Sequence, residues 1–276
     1  MYKQYLLNNN IPMNIIVQTY AEANPARSAE YNTCLLNNLS HFYVKNVFNL
    51  YESEEGISKT VREHPKYKGI HLGKRMTYDD AFKFAKAGLP LGEITCVLNL
   101  DIYIALALDY AEMCNILANG KTALAISRHD MDSKTGIPSM DPTFANIFHS
   151  NTQDGWFFKN PINMNPKSNY DIEIGRLGCD NAVALELKND GYAVFNLPER
   201  FVLIHLDEVR GKTATNFMEF HKPNPVKYNG GFLVPNYDVV KHISIDQFMN
   251  ELKFSEQERV LIFSEILNKR LAINNT

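Results

Sequence analysis

The stretch Ile94-Thr95-Cys96-Val97-Leu98-Asn99-Leu100-Asp101 decides the predicted fold of this chain. Its first five residues have the composition of a strand that is buried on both faces. A carboxylate at the carboxyl end of such a strand emerges where open α/β sheets bind ligands, so Asp101 is a candidate ligand for a metal and a phosphate group. The alternative is that Asp101 caps a following helix, and the spacing alone leaves both interpretations open.

Strand and helix signals alternate on both sides of this stretch. Asn24-Pro25 is typical of a helix start, with an N-cap followed by proline at the first helical position. Thr77-Tyr78-Asp79-Asp80 predicts a capping box, and Gly88 predicts the end of the helix that follows. The alternation predicts an α/β fold with a mixed, mostly parallel central sheet flanked by helices. Strands are predicted over residues 15–17, 44–50, 123–126, 192–195 and 201–205, and helices over 25–39, 106–117 and 180–189.

Two regions lack this regular pattern. Residues 52–68 are polar and predict loop or irregular structure, and residues 127–178 predict long loops over a binding site. The C-terminal part contains a predicted loop over 211–235 and two capped helices that begin near Ser244 and Ser255. We therefore divide the chain into a single domain over residues 1–210 and a C-terminal loop and helical appendage over residues 211–276.

Composition and charge make nucleic-acid and membrane partners less favoured, without excluding a nucleic acid. The 276 residues are 45% hydrophobic, which is enough for a full core. The net charge of −3 does not favour a nucleic-acid or membrane partner, and no window is apolar enough for a membrane span. Four widely spaced cysteines without a C-x-x-C pair fit reduced thiols, so a cytoplasmic location is expected.

Polar residues gather at the ends of the predicted strands and in the loops after them. Carboxylates with a histidine bind hard divalent cations, and arginine offers a fixed fork to phosphate oxygens, so together these clusters predict a diphosphate site. Taken singly, Asp180 can be a helix cap, His205 a structural histidine and Trp156 a core residue. The clusters are Asn99-x-Asp101, Ser127-Arg128-His129-Asp130, Gln153-Asp154-Gly155-Trp156, Gly175-x-x-Gly178-Cys179-Asp180-Asn181 and His205-x-Asp207-x-x-Arg210.

These clusters resemble the motifs of a family of nucleotide-sugar glycosyltransferases with a GT-A-like fold. The family pattern Asn-x-Asp-Ile, Ser-Arg-x-Asp, Gln-Asp-x-Trp-x-Phe, Leu-Gly-x-x-Gly-Cys-Asp-Asn and His-x-Ser-x-x-Arg is met in this order. The segment Arg27-x-x-Glu30 also fits, so the resemblance covers about residues 14 to 210. Two departures from the pattern bear on the site. Leu100 replaces a small polar residue, and Asp207 replaces a serine, which either adds a carboxylate to a metal shell or changes a hydrogen bond.

The resemblance implies transfer of a sugar from a nucleoside diphosphate sugar to an acceptor hydroxyl. Asp101 with His205 would hold Mn²⁺ or Mg²⁺ and offset the charge on the leaving diphosphate. Asp180 would be the general base of an inverting reaction, a role that fails if the configuration is retained. Asp154 is the competing base, and Trp156 would line the acceptor side. The implied donor-binding residues are Gln18, Thr19, Tyr20, Arg27, Asn99, Arg128 and Arg210.

Two other functions compete with this one. A nucleotidyltransferase acting on sugar phosphates would use the same sheet and metal, but such enzymes commonly carry a glycine-rich loop after the first strand, and residues 18–27 contain no glycine. A non-catalytic carbohydrate-binding module would not need so many Asp and Arg residues at strand ends. The sugar, the nucleobase, the acceptor (a glycan or another hydroxyl-bearing molecule) and a homodimer formed through residues 211–276 are left open.

Overall fold

A mixed sheet with helices on both faces lies at the centre of the computed structural model. The structure describes residues 11–106, 108–131, 136–139, 149–150, 153–211, 232 and 234–235, and for residues 149–150, 210–211 and 235 the backbone alone. Its strands are β1 (Met13–Val17), β2 (Val44–Tyr51), β3 (Tyr67–His71), β4 (Ile94–Leu98), β5 (Ile102–Ile104), β6 (Thr122–Ile126), β7 (Arg128–Met131), β8 (Pro138–Ser139), β9 (His149–Ser150), β10 (Gly155–Lys159), β11 (Ala193–Phe195), β12 (Leu203–His205) and β13 (Val234–Pro235). Its helices are α1 (Pro25–Ser40), α2 (Lys59–Arg62), α3 (Tyr78–Gly88), α4 (Tyr110–Leu117), α5 (Cys179–Asn189) and α6 (Glu208–Gly211).

The central sheet has seven strands in the order β11-β6-β10-β4-β1-β2-β3. All of its pairs are parallel except those of β10, which runs antiparallel to both β4 and β6. The predicted mixed, mostly parallel sheet is therefore confirmed. A second sheet has the order β5-β12-β7-β8. The chain passes from the first sheet to the second three times, from β4 to β5, from β6 to β7 and from β11 to β12.

Two hydrophobic clusters cover the two faces of the central sheet. Side chains alternate between the faces along a strand, so Ile15 and Ile16 of β1 belong to different clusters. The cluster of Ile15 includes side chains of α1 and α4, and that of Ile16 includes side chains of α3 and α5. Burial on both faces explains why β1, β4 and β6 are mostly apolar and do not alternate between apolar and polar residues. In the described part of the chain, every helix is too short or too polar to cross a membrane.

The predicted helix boundaries agree with the structure at the best-marked positions. Asn24 caps α1 by accepting a hydrogen bond from the Ala26 backbone, and Thr77 and Asp80 form the predicted capping box of α3. The alternative that Asp101 caps a helix is wrong, because strand β5 follows it. Asp101 therefore stands between two strands, at a point where the chain changes sheets.

Both regions predicted as irregular contain regular structure. Residues 52–68 contain α2 and the start of β3 at the sheet edge. In the predicted loops over the site, residues 128–131 form β7 of the second sheet, and residues 155–159 form β10 in the middle of the first. That prediction was wrong because a strand of aromatic residues next to Asp154 lacks alternation and β-branched residues. Its antiparallel pairing depends on strands that are distant in the sequence.

The C-terminal appendage predicted over residues 211–276 lies outside the described residues except at a few positions, and the two predicted helices fall among the residues not described. At residue 232 the chain lies beside α5, where the Phe232 backbone donates a hydrogen bond to Asn181 O at 2.9 Å. Val234 is fully buried, and β13 pairs with β9. The division of the chain at residue 210 stays a prediction.

Gly155 marks a tight contact between the two sheets and provides a test of the fold. A Cβ at this position would lie 2.6 Å from Leu203 Cδ1 and 3.0 Å from Leu98 Cδ1, and both leucines are buried. Gly155→Ala is therefore expected to lower the free energy of unfolding by about 1–3 kcal/mol in urea denaturation. Gly88→Ala is the control, because its nearest neighbour, Phe84, is at 3.5 Å. Equal losses in both variants would contradict a close contact at Gly155.

Candidate functional site

The candidate site lies at the junction of the two sheets, where β4 and β6 end. The antiparallel strand β10 starts at the same place, because Gly155 pairs with both Leu98 and Ile126. The Asp154 backbone N–H donates to Ile126 O at 3.0 Å, and the Asn99 N–H donates to Asp154 O at 3.0 Å. These backbone hydrogen bonds fix the predicted motifs around Asn99 and Asp154 next to each other.

Contacts of the second sheet bring three further motif residues to this junction. His205 on β12 pairs with Ile102 on β5 on one side and with Asp130 on β7 on the other. The Leu206 backbone N–H donates to Asp101 O at 3.0 Å. Strand pairing thus brings together Asp101, Asp130 and His205, which are far apart in the sequence.

His205 is a buried histidine that stands between carboxylates. Its Nδ1 lies 2.6 Å from Asp130 Oδ1, and its Nε2 lies 3.4 Å from Asp101 Oδ2 and 3.9 Å from Asp207 Oδ2. Burial opposes protonation, but the charge of Asp101 and the hydrogen bonds to the carboxylates outweigh it and raise the pKa of His205 to about 9. His205 is therefore a cation at neutral pH, and its Nε2 would have to lose a proton before it could bind a metal ion.

Arg27 neutralises Asp101 from the other side. Its side chain is only 3% exposed, pairs with Asp101, and reaches Glu30 Oε2 at 2.6 Å and Asp207 Oδ1 at 3.1 Å. Its Nη1 also donates to Leu206 O at 2.6 Å. Because these donors are used within the protein, Arg27 ties α1 to the loop after β12. The predicted donor-binding role of Arg27 finds no support in these contacts.

Arg128 joins the histidine side of the site to the Asp154 side. Its Nε donates to Asp130 Oδ1 at 3.2 Å, and its Nη1 donates to Asp154 Oδ1 at 3.1 Å. Asn99 Nδ2 donates to the same Asp154 oxygen at 3.1 Å. The Arg128 side chain is 28% exposed, so of the two arginines this one reaches solvent. Asp154 is buried, and its Oδ2 has no hydrogen-bond partner among the described residues.

Asp180 lies in the first turn of α5. The N-cap is Gly178, with a φ of +83° and no side-chain cap hydrogen bond, so Asp180 is not the N-cap of this helix. Cys179 Sγ donates to Asp180 Oδ1 at 3.3 Å. Burial and the negative charge of Asp154 raise the pKa of Asp180 to about 7, although a helix N-terminus favours the charged form. A carboxylate with this pKa suits a general base near neutral pH.

The polar groups of the residues after β1 mostly form hydrogen bonds within the protein. Gln18 Nε2 donates to Lys74 O at 2.8 Å, and Gln18 Oε1 accepts from the Met76 N–H at 2.7 Å. Thr19 is fully buried, whereas Tyr20 is partly exposed. Gln18 and Thr19 therefore hold the loop in place. Of these three residues, Tyr20 has the side chain most open to the predicted contact with a donor.

Two other predicted residues are placed differently. Trp156 is 2% exposed and packs edge-to-face on Tyr78, with ring centroids 5.8 Å apart. Since side chains alternate along β10, Trp156 points to the face that α3 covers, and the structure supports its interpretation as a core residue and not as part of an acceptor surface. The side chain of Arg210 lies outside the described residues, so its donor contact stays a prediction.

The residues around His205 include the types of side chain that bind divalent cations. Asp101, Asp207 and His205 offer carboxylate oxygens and an imidazole nitrogen, which Mn²⁺ and Mg²⁺ accept as ligands. The described side chains nevertheless include no group of three or more His, Cys, Asp or Glu already arranged to hold a metal ion, and Arg27 contacts both carboxylates. Metal binding by Asp101 and His205 therefore stays a prediction.

The sequence motifs contain Asp130 without indicating a role for it, and they leave the role of Asp207 open. The spacing of Arg128-x-Asp130 and His205-x-Asp207 contains a usable signal, because residues two apart on an extended chain share a face. That signal places each pair on one side but does not show that the two pairs meet. Their meeting depends on the parallel pairing of β7 with β12.

No protein-family model and no curated protein sequence matches this chain. Solved structures do resemble it. A structure of GalNAc-T7 with UDP, GalNAc and Mn²⁺ aligns over 74% of this chain at 8% identity with a TM-score of 0.50, and TarS of S. aureus (residues 1–349) aligns over 70% at 13% identity with a TM-score of 0.45. The 4-diphosphocytidyl-2C-methyl-D-erythritol synthase of Anaerococcus prevotii aligns over 55% at 11% identity with a TM-score of 0.34.

The likeness to GalNAc-T7 confirms the GT-A-like fold, and at 8% identity it supports the fold alone. This chain spans 45% of the GalNAc-T7 chain and 60% of the TarS chain. The activity, donor and partners of this chain therefore have to be argued from its own residues.

The raised pKa of Asp180 predicts how a variant changes stability with pH. An aspartate in an unfolded chain ionises near pH ~4, whereas Asp180 in the folded protein has a pKa of about 7. Above pH 7 the folded protein carries a charge whose burial lowers stability, and below pH 4 the group is neutral in both states. Asp180→Asn should therefore raise the melting temperature at pH 8, and the gain should shrink towards zero at pH 4.

Circular dichroism melts at the two pH values measure this effect. Asp171→Asn, which changes an exposed aspartate, is the control and should show no such difference between pH 4 and pH 8. A lower melting temperature of Asp180→Asn at both pH values would mean that the carboxylate is needed for folding.

Proposed function

We propose that this chain is a nucleotide-sugar glycosyltransferase that transfers a sugar to a hydroxyl of a glycan or another hydroxyl-bearing acceptor. The observation that carries the proposal is that Asp180, with a pKa of about 7, lies near the ionic network of Asp154 and Arg128. The site stands at the carboxyl ends of parallel strands, where α/β sheets bind ligands. The GT-A-like fold is compatible with this chemistry.

Asp180 is the proposed general base of an inverting reaction. It accepts the proton of the acceptor hydroxyl while that oxygen bonds to the anomeric carbon, and the bond from this carbon to the diphosphate oxygen breaks with its electron pair leaving on the diphosphate. Asp154 Oδ1 already accepts hydrogen bonds from Arg128 and Asn99. We therefore assign Asp154 to hold Arg128 in place and Asp180 to move the proton.

The leaving diphosphate needs positive charge beside it. Arg128 is held by two carboxylates and reaches solvent, so it is the first candidate to contact a phosphate oxygen, and Arg210 is the second. Asp101, His205 and Asp207 would hold Mn²⁺ or Mg²⁺, which when bound supplies a Lewis acid that offsets the charge of the leaving group. GalNAc-T7 was solved with UDP and Mn²⁺, which is a reason to test UDP-sugars and Mn²⁺ first.

A cytoplasmic location is part of the proposal. The four cysteines are free thiols, and Cys34, Cys96 and Cys179 are buried in the protein. Buried unpaired thiols are typical of proteins from a reducing compartment. A homodimer stays a prediction, since the residues to which it was assigned are largely not described.

The experiment that tests the function is a panel of UDP-, GDP- and dTDP-sugars incubated with the protein, Mn²⁺ and glycan acceptors. Nucleoside diphosphate release should appear with at least one donor and should increase as the pH rises through about 7, because Asp180 must lose its proton. Asp180→Asn should lower turnover by about 10²–10⁴-fold without weakening donor binding in calorimetry. Asp171→Asn is the control and should be as active as the original protein.

Other outcomes would contradict the proposal. Release of pyrophosphate from a nucleoside triphosphate and a sugar phosphate would indicate a nucleotidyltransferase. Tight glycan binding without turnover of any donor would indicate a carbohydrate-binding module. Loss of both turnover and donor binding in Asp180→Asn would mean that Asp180 acts in binding or structure and not as the base.

A further inference from the structure

We propose that Arg75 is a positioning residue for Asp180, and that it acts by holding the start of the turn that leads into α5. The inference rests on the proposed function, which assigns Asp180 as the general base. Arg75 lies between β3 and α3, outside the sequence motifs of the site. Its role is therefore visible only from contacts that the fold creates.

Arg75 holds the carbonyl group of Ile174 with two hydrogen bonds. Its Nε donates to Ile174 O at 3.0 Å, and its Nη2 donates to the same oxygen at 2.9 Å. Two donors from one rigid, planar guanidinium fix the direction of the carbonyl group as well as its distance. The guanidinium also lies against Gly175, where a Cβ would stand 2.9 Å from Nη2. Arg75 therefore determines where the chain stands as it enters the turn.

The segment that carries Arg75 is itself anchored on two sides. Gln18 Nε2 donates to Lys74 O at 2.8 Å, and Gln18 Oε1 accepts from the Met76 N–H at 2.7 Å. On the other side, the Ile174 N–H donates to Met76 O at 3.1 Å. Because both neighbours of Arg75 are held by hydrogen bonds, its backbone is a fixed point from which the side chain can hold the turn.

A short turn connects the carbonyl group that Arg75 holds to the proposed base. Gly175 and Gly178 have φ values of +77° and +83°, in the left-handed region that favours glycine. The Cys179 N–H donates to Arg176 O at 3.0 Å and closes the turn. Cys179 Sγ then donates to Oδ1 of the next residue, the proposed base, at 3.3 Å. A displacement at the start of the turn would therefore reach this carboxylate.

The pKa of Asp180 reports where its carboxylate stands. The titratable and charged groups that face it are Cys179 on α5, Asp154 just before β10 and Arg128 on β7, and the Gln153 backbone N–H donates to it. Burial is the largest cause that raises the pKa of Asp180 to about 7, and the charge of Asp154 adds to it. A carboxylate that moves towards solvent loses part of this effect, so its pKa falls.

Arg75→Met and Arg75→Gln test the positioning role. The two new side chains have similar shapes, but only glutamine has a donor, Nε2, at the place of the arginine Nε. Arg75→Met should lower kcat by about 10–100-fold without changing the donor KM, because a small displacement of a catalytic group is this costly. The acidic limb of its kcat–pH profile should shift to lower pH. Arg75→Gln should recover most of kcat, and Arg62→Ala, which changes an exposed arginine of α2, is the control.

NMR of the aspartate carboxyl carbons in labelled protein measures the pKa of Asp180 without any donor, and the spectrum of Asp180→Asn assigns the signal. This pKa should fall in Arg75→Met and stay close to its original value in Arg75→Gln. Circular dichroism shows whether each variant is folded. If Arg75→Met is not folded, Gly175→Ala replaces it, because its Cβ displaces the same guanidinium and should lower the pKa of Asp180 as well.

The outcomes separate failure of this inference from failure of the proposed function. If no donor is turned over, or if Asp180→Asn keeps its turnover, the base assignment fails and the inference fails with it. If Asp180→Asn loses turnover while Arg75→Met keeps the original kcat, pH profile and Asp180 pKa, only the positioning role is overturned. A raised donor KM with unchanged kcat in Arg75→Met would mean that Arg75 contacts the donor, and would also overturn it.

Discussion

A network of ion pairs, in which carboxylates and cations alternate, joins the two sheets, and the geometry of the site depends on this network. A buried charge is tolerated only when it is paired, so each member requires its neighbours to be in place. The members come from α1, from the ends of β4 and β12, and from β7 and the start of β10, so the ion pairs form together only when both sheets are in register. In order of contact, the members of this network are Asp207, Arg27, Asp101, His205, Asp130, Arg128 and Asp154.

The two ends of this ion-pair network have different chemistry. Around His205, three carboxylates surround an imidazole whose pKa is about 9, so the positive and negative charges are closely paired there. Near Asp154 lies a second carboxylate, Asp180. Burial and the negative charge of Asp154 raise its pKa to about 7, so it gains or loses a proton near neutral pH. Arg128 lies between the two ends. Fixed charges of this kind do not need to reorient when charge develops on a leaving group.

Much of this arrangement could be predicted from the sequence, because it follows from local patterns. The apolar run of β4 indicated that Asp101 emerges at the end of a buried strand, and the helix predicted over residues 180–189 carried Asp180 in its first turn. The partners across the fold could not be predicted in this way. The pattern Arg27-x-x-Glu30 contains no sign that Arg27 also reaches Asp101, a partner that only the folded chain brings near. The sequence likewise left Trp156 open between the core and the acceptor side. Pairing with distant strands decides which face of β10 carries this side chain.

Crystals soaked with Mn²⁺ and UDP would test the central claim most directly, because anomalous scattering locates the manganese without assumptions about its ligands. We expect one peak bounded by Asp101 and His205, with the diphosphate between this peak and Arg128, and we expect the peak to be absent in Asp101→Asn. A manganese peak elsewhere, or a nucleotide bound away from Arg128, would contradict the assignment of this junction as the donor site.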